Sequence, residues 1–196
     1  NIQDPAMISR HFNETLSVYC GGIDNLYRHH DYTLAILESI RPYPMARFWL
    51  HCHHLYVNGR KMSKSRGNIY YTDTLLKEGY NMQEVRFFLI YEHYRKDLNF
   101  SEDNMASTVR GLKEFKGHVL TVKRKASSSA PKNSTISEAI LKTFSEHMDK
   151  DLIVRDAFDW MRAVLAGLDV HAISQSEAAG IISALGKINE VFQVIF

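Results

Sequence analysis

Residues 58–68 read Asn-Gly-Arg-Lys-Met-Ser-Lys-Ser-Arg-Gly-Asn and hold the densest chemistry in the chain. Four cations, two hydroxyls and two glycines fall within these eleven residues. Such a loop can fold around a polyphosphate. Lysines offer point charges, hydroxyls and backbone amides offer donors, and glycines let the backbone approach closely. Where charge builds on a leaving pyrophosphate, those cations would stabilise the transition state more than the ground state. Composition alone leaves a second reading open, a solvated charge run beside a hairpin.

Histidines form the next candidate groups. His29 and His30 stand together at the start of a helical pattern, and His51-Cys52-His53-His54 form a run. Alternation along a strand would put His51 and His53 on one face and Cys52 and His54 on the other. One metal ion is therefore not expected to be held by all four. Lys113, Lys116, Lys123, Arg124 and Lys125 make a basic stripe suited to phosphate contacts or to simple solvation.

Several elements must position these groups. Val18-Tyr19 running into Gly21-Gly22 reads as a strand ending in a tight turn, and His29–Ile40 as a helix with Leu34, Leu37 and Ile40 inward. Phe48 to Val57 reads as one arm of a hairpin that turns at Asn58-Gly59. Met82, Val85, Phe88 and Leu89 mark another amphipathic helix. From residue 101 onward the pattern is helical throughout. Ser101 is an expected N-cap, followed by Val109, Leu112, Phe115, Val119 and Val122 at helical spacing. Residues 126–133 read as a linker, and capping boxes are expected at Thr135 with Glu138 and at Ser174 with Glu177. The expectation is therefore an α/β nucleotide-binding part over residues 1–100 and an all-α helical bundle over 101–196.

Bulk properties set outer bounds. The 196 residues are 45% hydrophobic and 23% charged, as in an ordinary globular protein. A net charge of +2 makes any nucleic-acid contact a matter of local patches. Two cysteines, no membrane-length apolar run and no signal segment read as a cytoplasmic protein in a reducing compartment.

Lys61-Met62-Ser63-Lys64-Ser65 is similar, without alteration, to the signature loop of class I aminoacyl-tRNA synthetases. Around it the chain resembles the cysteinyl family of that class. The resemblance rests on Gly21-Gly22-Ile23-Asp24 followed by His29-His30, on Ala46–His51, and on Arg66-Gly67-Asn68. Glu84–Leu89, His93-Tyr94-Arg95 and Leu98–Asn104 continue it. It is dense over residues 1–105 and thin beyond, where Met148-Asp149-Lys150-Asp151 loosely resembles the opening of a tRNA-facing helical domain.

The resemblance implies the closing part of a Rossmann-like catalytic domain followed by a tRNA-side bundle. It implies ATP with magnesium, cysteine and tRNA as substrates and partners. Lys64 would contact ATP, assisted by Lys61 and Ser63, with Gly21, Gly22 and Asp24 near the adenosine; the basic stripe would face tRNA. In the family a zinc ion takes the substrate thiolate; its ligands are a cysteine in the first half, then a cysteine, a histidine and a glutamate, and the last three positions fall here on Asp4, His29 and Thr33. Asp4 could bind through oxygen, but a threonine hydroxyl is a poor zinc ligand. Either another residue completes the site (His11, Cys20, His30 or Asp31) or zinc is absent. The family's His-x-Gly-His signature has no match in this chain. An N-terminal half of the catalytic domain is therefore expected to be missing, and adenylate formation is not expected from these residues alone. Two alternatives accompany the synthetase reading. One is a ligase sharing the core that joins cysteine to a small amine; the other is a non-catalytic paralogue that binds tRNA or a protein partner.

Overall fold

Two runs centred on Val18-Tyr19 and Phe48-Trp49, Leu16–Gly22 (β1) and Ala46–Cys52 (β2), pair in parallel, with Val18 opposite Phe48 and Gly22 opposite Cys52. Parallel pairing requires a long crossover. Here it runs through a 3-10 turn (Ile23–Asn25), a π-helical turn (Leu26–His30) and a helix. The structure is a computed structural model that describes residues 2–196. Two helices pack on one face of the strands, Gln3–His11 (α1) and the crossover helix Asp31–Ile40 (α2). Ile8, Leu37 and Met45 are buried there against Leu16, Tyr19, Leu34 and Trp49.

The predicted hairpin arm is shorter than the sequence implied. Ala46–Cys52 belongs to the parallel pair, and only Leu55–Val57 (β3) folds back on Arg60–Lys61 (β4). His53 and His54 break the run because their backbones bond elsewhere. The His53 amide donates to the Tyr94 carbonyl (2.8 Å), and the Leu98 amide donates to the His54 carbonyl (3.1 Å). The turn is as expected: Asn58 (φ 49°) and Gly59 (φ 73°) both take the left-handed conformation that a two-residue hairpin demands. Leu98–Phe100 (β5) completes a small sheet in the order β4-β3-β5.

The chain forms two compact units, one running to Met62 with Tyr94–Asn99, the other comprising Ser63–His93 and Phe100–Phe196. The second unit contains Thr72–Lys77 (α3), Met82–Tyr91 (α4), Glu102–Ala126 (α5), Thr135–Asp149 (α6), Val154–Ala166 (α7) and Gln175–Phe192 (α8). Helix α4 joins this unit because Phe87 is buried in the same cluster as Leu112, Phe115, Phe158 and Leu185. The apolar stripe expected on α5, Val109 to Val122, is buried along its length. The structure thus has an α/β part followed by helices.

Helix starts follow the side chains that can satisfy orphan amides. Ser101 accepts from the Asn104 amide, and Ser174 and Glu177 form the expected capping box. At α6 the box lies one residue earlier than expected. Ser134 is the N-cap and Ser137, not Glu138, returns the bond to its amide (2.8 Å). A serine hydroxyl closes the box as well as a carboxylate does, so the Thr135–Glu138 pattern lost to its neighbour.

Candidate active site

β1 and β2 end side by side at Gly22 and Cys52, and the carboxyl end of a parallel pair is where α/β folds gather ligands. His30 is 3% exposed there, and its Nδ1 lies 2.8 Å from Nε2 of His51. Tyr19 meets the His30 ring edge-on at 4.8 Å, and Trp49 stands at 6.2 Å. A side chain at position 21 would collide with this arrangement, since a Cβ on Gly21 would fall 2.8 Å from His30 Nε2. Gly21 is therefore required by the histidine packed across it. Burial holds the His30 pKa below the usual histidine value, and the neighbouring His51 and His29 add to the effect against the opposing pull of Asp4 and Asp31. His30 thus favours the neutral form. A cavity of ≈ 320 Å³ opens beside the pair, walled by Leu26, Tyr27, Leu34 and Trp49.

Asp24 sits on the turn after β1, and its Oδ2 accepts from Lys61 Nζ at 3.3 Å. Lys61 Nζ also lies 3.0 Å from His54 Nε2. Desolvation raises the Asp24 pKa, but the Lys61 hydrogen bond, its own backbone bond and the Lys61 and His54 charges together outweigh it, so the carboxyl stays below its ordinary value. Asp24 and Lys61, which the sequence placed near the nucleotide, are thus in contact within the first unit. His54 is a member of this group that the sequence reading missed. The β3–β4 hairpin brings it near Lys61, and the Leu98 amide, from a distant segment, holds its carbonyl.

The rest of the basic loop belongs to the second unit. Ser63 donates its amide to Asn68 Oδ1 (3.0 Å), and Lys64–Arg66 form a 3-10 turn closed by Gly67 in the left-handed conformation (φ 65°). Ser63 and Ser65 hydroxyls stand 3.4 Å apart, and Lys64 is exposed.

The three zinc positions carry unequal donors. Asp4 Oδ2 and His29 Nε2 bond directly to each other. Thr33 is 1% exposed and gives its hydroxyl to the His29 carbonyl (2.9 Å). A tetrahedral zinc site needs three or four thiolate, imidazole or carboxylate donors. This chain offers two at that place, and among the described residues no three such side chains converge. Asp4 and His29 are the two donors at that place, and Thr33 adds none. The histidine run disperses likewise, with His51 at His30, His53 near Asp97 (3.3 Å) and His54 at Lys61.

The basic stripe divides. Helical geometry puts Lys113, Lys116, Lys123 and Arg124 within a sector of about 100°, and Lys125 about 120° from Lys113. Lys113 pairs with the buried Glu84 (3.1 Å), and Lys116 donates to Gln83. Burial lowers the Lys116 pKa, with Glu84 opposing. Lys123 lies over the Phe196 ring, and Arg124 is exposed.

This fold has a solved counterpart. It matches the LeuRS of a ternary LeuRS–tRNA–LeuAMS complex from Agrobacterium radiobacter with a TM-score of 0.71, at 19% identity, over 91% of this chain and 26% of that one. The family model of the class I (C) tRNA synthetase catalytic domain matches residues 1–110, and the chain belongs to that family. Among curated relatives, a cysteine–tRNA ligase of Chlamydia felis is 33% identical over 92% of this chain and 40% of its own length. Another, of Protochlamydia amoebophila, is 29% identical over 100% of this chain and 42% of its own length. The chain thus spans about 40% of the length of these relatives.

Proposed function

We propose that the protein carrying this chain is an aminoacyl-tRNA ligase that activates cysteine with ATP and passes the acyl group to tRNA. The observation that carries this reading is the unaltered Lys61-Met62-Ser63-Lys64-Ser65 sequence, whose Lys61 meets Asp24 beside the carboxyl ends of β1 and β2. The cysteine–tRNA ligase relatives support the choice of amino acid.

In the reaction the amino-acid carboxylate oxygen forms a bond to the ATP α-phosphorus. The bond from that phosphorus to the bridging oxygen breaks, and magnesium-bound pyrophosphate leaves. Lys64, assisted by Lys61 and Ser63, stabilises the charge that builds on the leaving group. Asp24 and the Gly21-Gly22 backbone lie toward the adenosine. The cavity of ≈ 320 Å³ beside His30 and His51 is large enough for a small amino acid. Zinc enters no step. The exposed end of the basic stripe, Lys123 and Arg124, is the part best placed for tRNA phosphates, with Lys113 and Lys116 engaged by α4.

A second reading, a ligase joining cysteine or another amino acid to a small amine, is favoured by Thr33, whose hydroxyl is committed to the backbone where the family uses a carboxylate. Replacing Lys64 separates this chemistry from a binding role. Lys64→Ala in the longest natural form should slow ATP–pyrophosphate exchange by about 10²–10³-fold, the loss typical of one charge-stabilising donor. An unchanged exchange rate would remove Lys64 from the mechanism.

A further inference from the structure

We propose that His54 is a positioning residue for Lys61, holding its ammonium only while the imidazole is neutral. The inference rests on the reading that Lys61 serves ATP. Lys61 Nζ lies 3.0 Å from His54 Nε2 and 3.3 Å from Asp24 Oδ2. An ammonium can only donate, so His54 must accept through Nε2 and carry its proton on Nδ1. The two acceptors do different work. Asp24 balances the charge, but a single exposed carboxylate lets a four-carbon side chain swing around it. His54 is half-buried, with its backbone fixed by the Leu98 amide at 3.1 Å, and its ring sets the direction from which the ammonium is held.

The charged groups facing His54 are Lys61 from β4 and Asp24 from the turn after β1. Asp97, just before β5, turns to His53. Protonation of His54 removes the acceptor and sets a second cation against Lys61. The hold is therefore lost when the ring takes up a second proton.

Two experiments decide the matter. In the 196-residue chain, nitrogen NMR at alkaline pH should show His54 with Nδ1 protonated and Nε2 bare, and Lys61→Met should abolish that bias. A wild-type ring protonated on Nε2 would overturn the proposal. In the longest natural form, His54→Leu should lower kcat of ATP–pyrophosphate exchange about tenfold, with little change in KM for ATP, as expected for a misdirected group. His54→Gln, which keeps an acceptor but cannot titrate, should restore most of the rate and lose the acid limb of the wild-type pH profile. A His54→Leu enzyme with wild-type rate and profile would equally overturn it. Absence of exchange in the unmodified protein would sink the ATP reading instead, and the tautomer measurement would still decide whether His54 holds Lys61.

Discussion

At the scale of single residues, the site is organised by what lies across Gly21. The buried His30 ring occupies the space a Cβ would need, so Gly21→Ala forces the ring, and the His51 bond with it, to move. The expected cost is about 1–3 kcal/mol, as for overpacking elsewhere, read by denaturant unfolding of the chain. The same histidine sets a pH dependence. Its folded pKa is lowered from 6.5 by burial and by His51 and His29, so on acidification the unfolded chain binds the proton first. Stability then rises with pH. The His30 contribution is fully present above 6.5 and is lost as pH falls through the lowered folded value. Melting temperatures taken from pH 7.5 downward should fall less steeply in His30→Gln than in the wild type. Parallel slopes would assign the acid sensitivity to other groups.

Residue types marked the basic loop and His29-His30, and the family resemblance, not residue types, assigned Lys61 and Asp24 to the nucleotide. They could not reveal that His54 would meet Lys61. The pair straddles the Asn58-Gly59 hairpin seven residues apart, and residue types do not say how far that hairpin's pairing extends. Nor could they reveal the fate of Thr33, whose chemistry as a ligand was already poor and whose hydroxyl the helix itself consumes.

At the scale of elements, period and punctuation did most of the work. The 3.6-residue spacing of Val109 to Val122 specified which face of α5 is buried, and Asn58-Gly59 specified the hairpin turn. Errors came where two residues could serve one role. Ser134 and Thr135 are both competent N-caps, and the backbone chose Ser134, which Ser137 bonds in return. Phe48 to Val57 could be one long arm, but the bonds from His53 and to His54 split it between two sheets. The box at α8 is unambiguous: Ser174 accepts from the Glu177 amide at 3.2 Å, and Glu177 accepts from the Ser174 amide at 2.9 Å. Ser174→Ala should destabilise the second unit by about 1 kcal/mol, and Ser174→Asp by much less. Equal losses would mean that this cap is not what starts α8.

At the scale of the molecule, two units carry different parts of the proposed chemistry. The first carries a parallel strand pair, the buried His30 with its partner His51, and the Lys61–Asp24 contact. The second carries Ser63 and Lys64 at its head and a helical core built on Phe87, Phe115 and Phe158. Among the described residues, no helix is long and apolar enough to cross a membrane. The chain belongs to the class I (C) synthetase family, and under the proposed function the amino acid is the open variable, since the Thr33 hydroxyl is given to the His29 carbonyl. Amino-acid-dependent ATP–pyrophosphate exchange by the longest natural form, run across all the standard amino acids, addresses the proposed function and the amino acid at once. The account predicts exchange with cysteine and none with the others, whether or not zinc is removed by chelation. No exchange with any amino acid would contradict it and leave the chain as a non-catalytic relative of the synthetases.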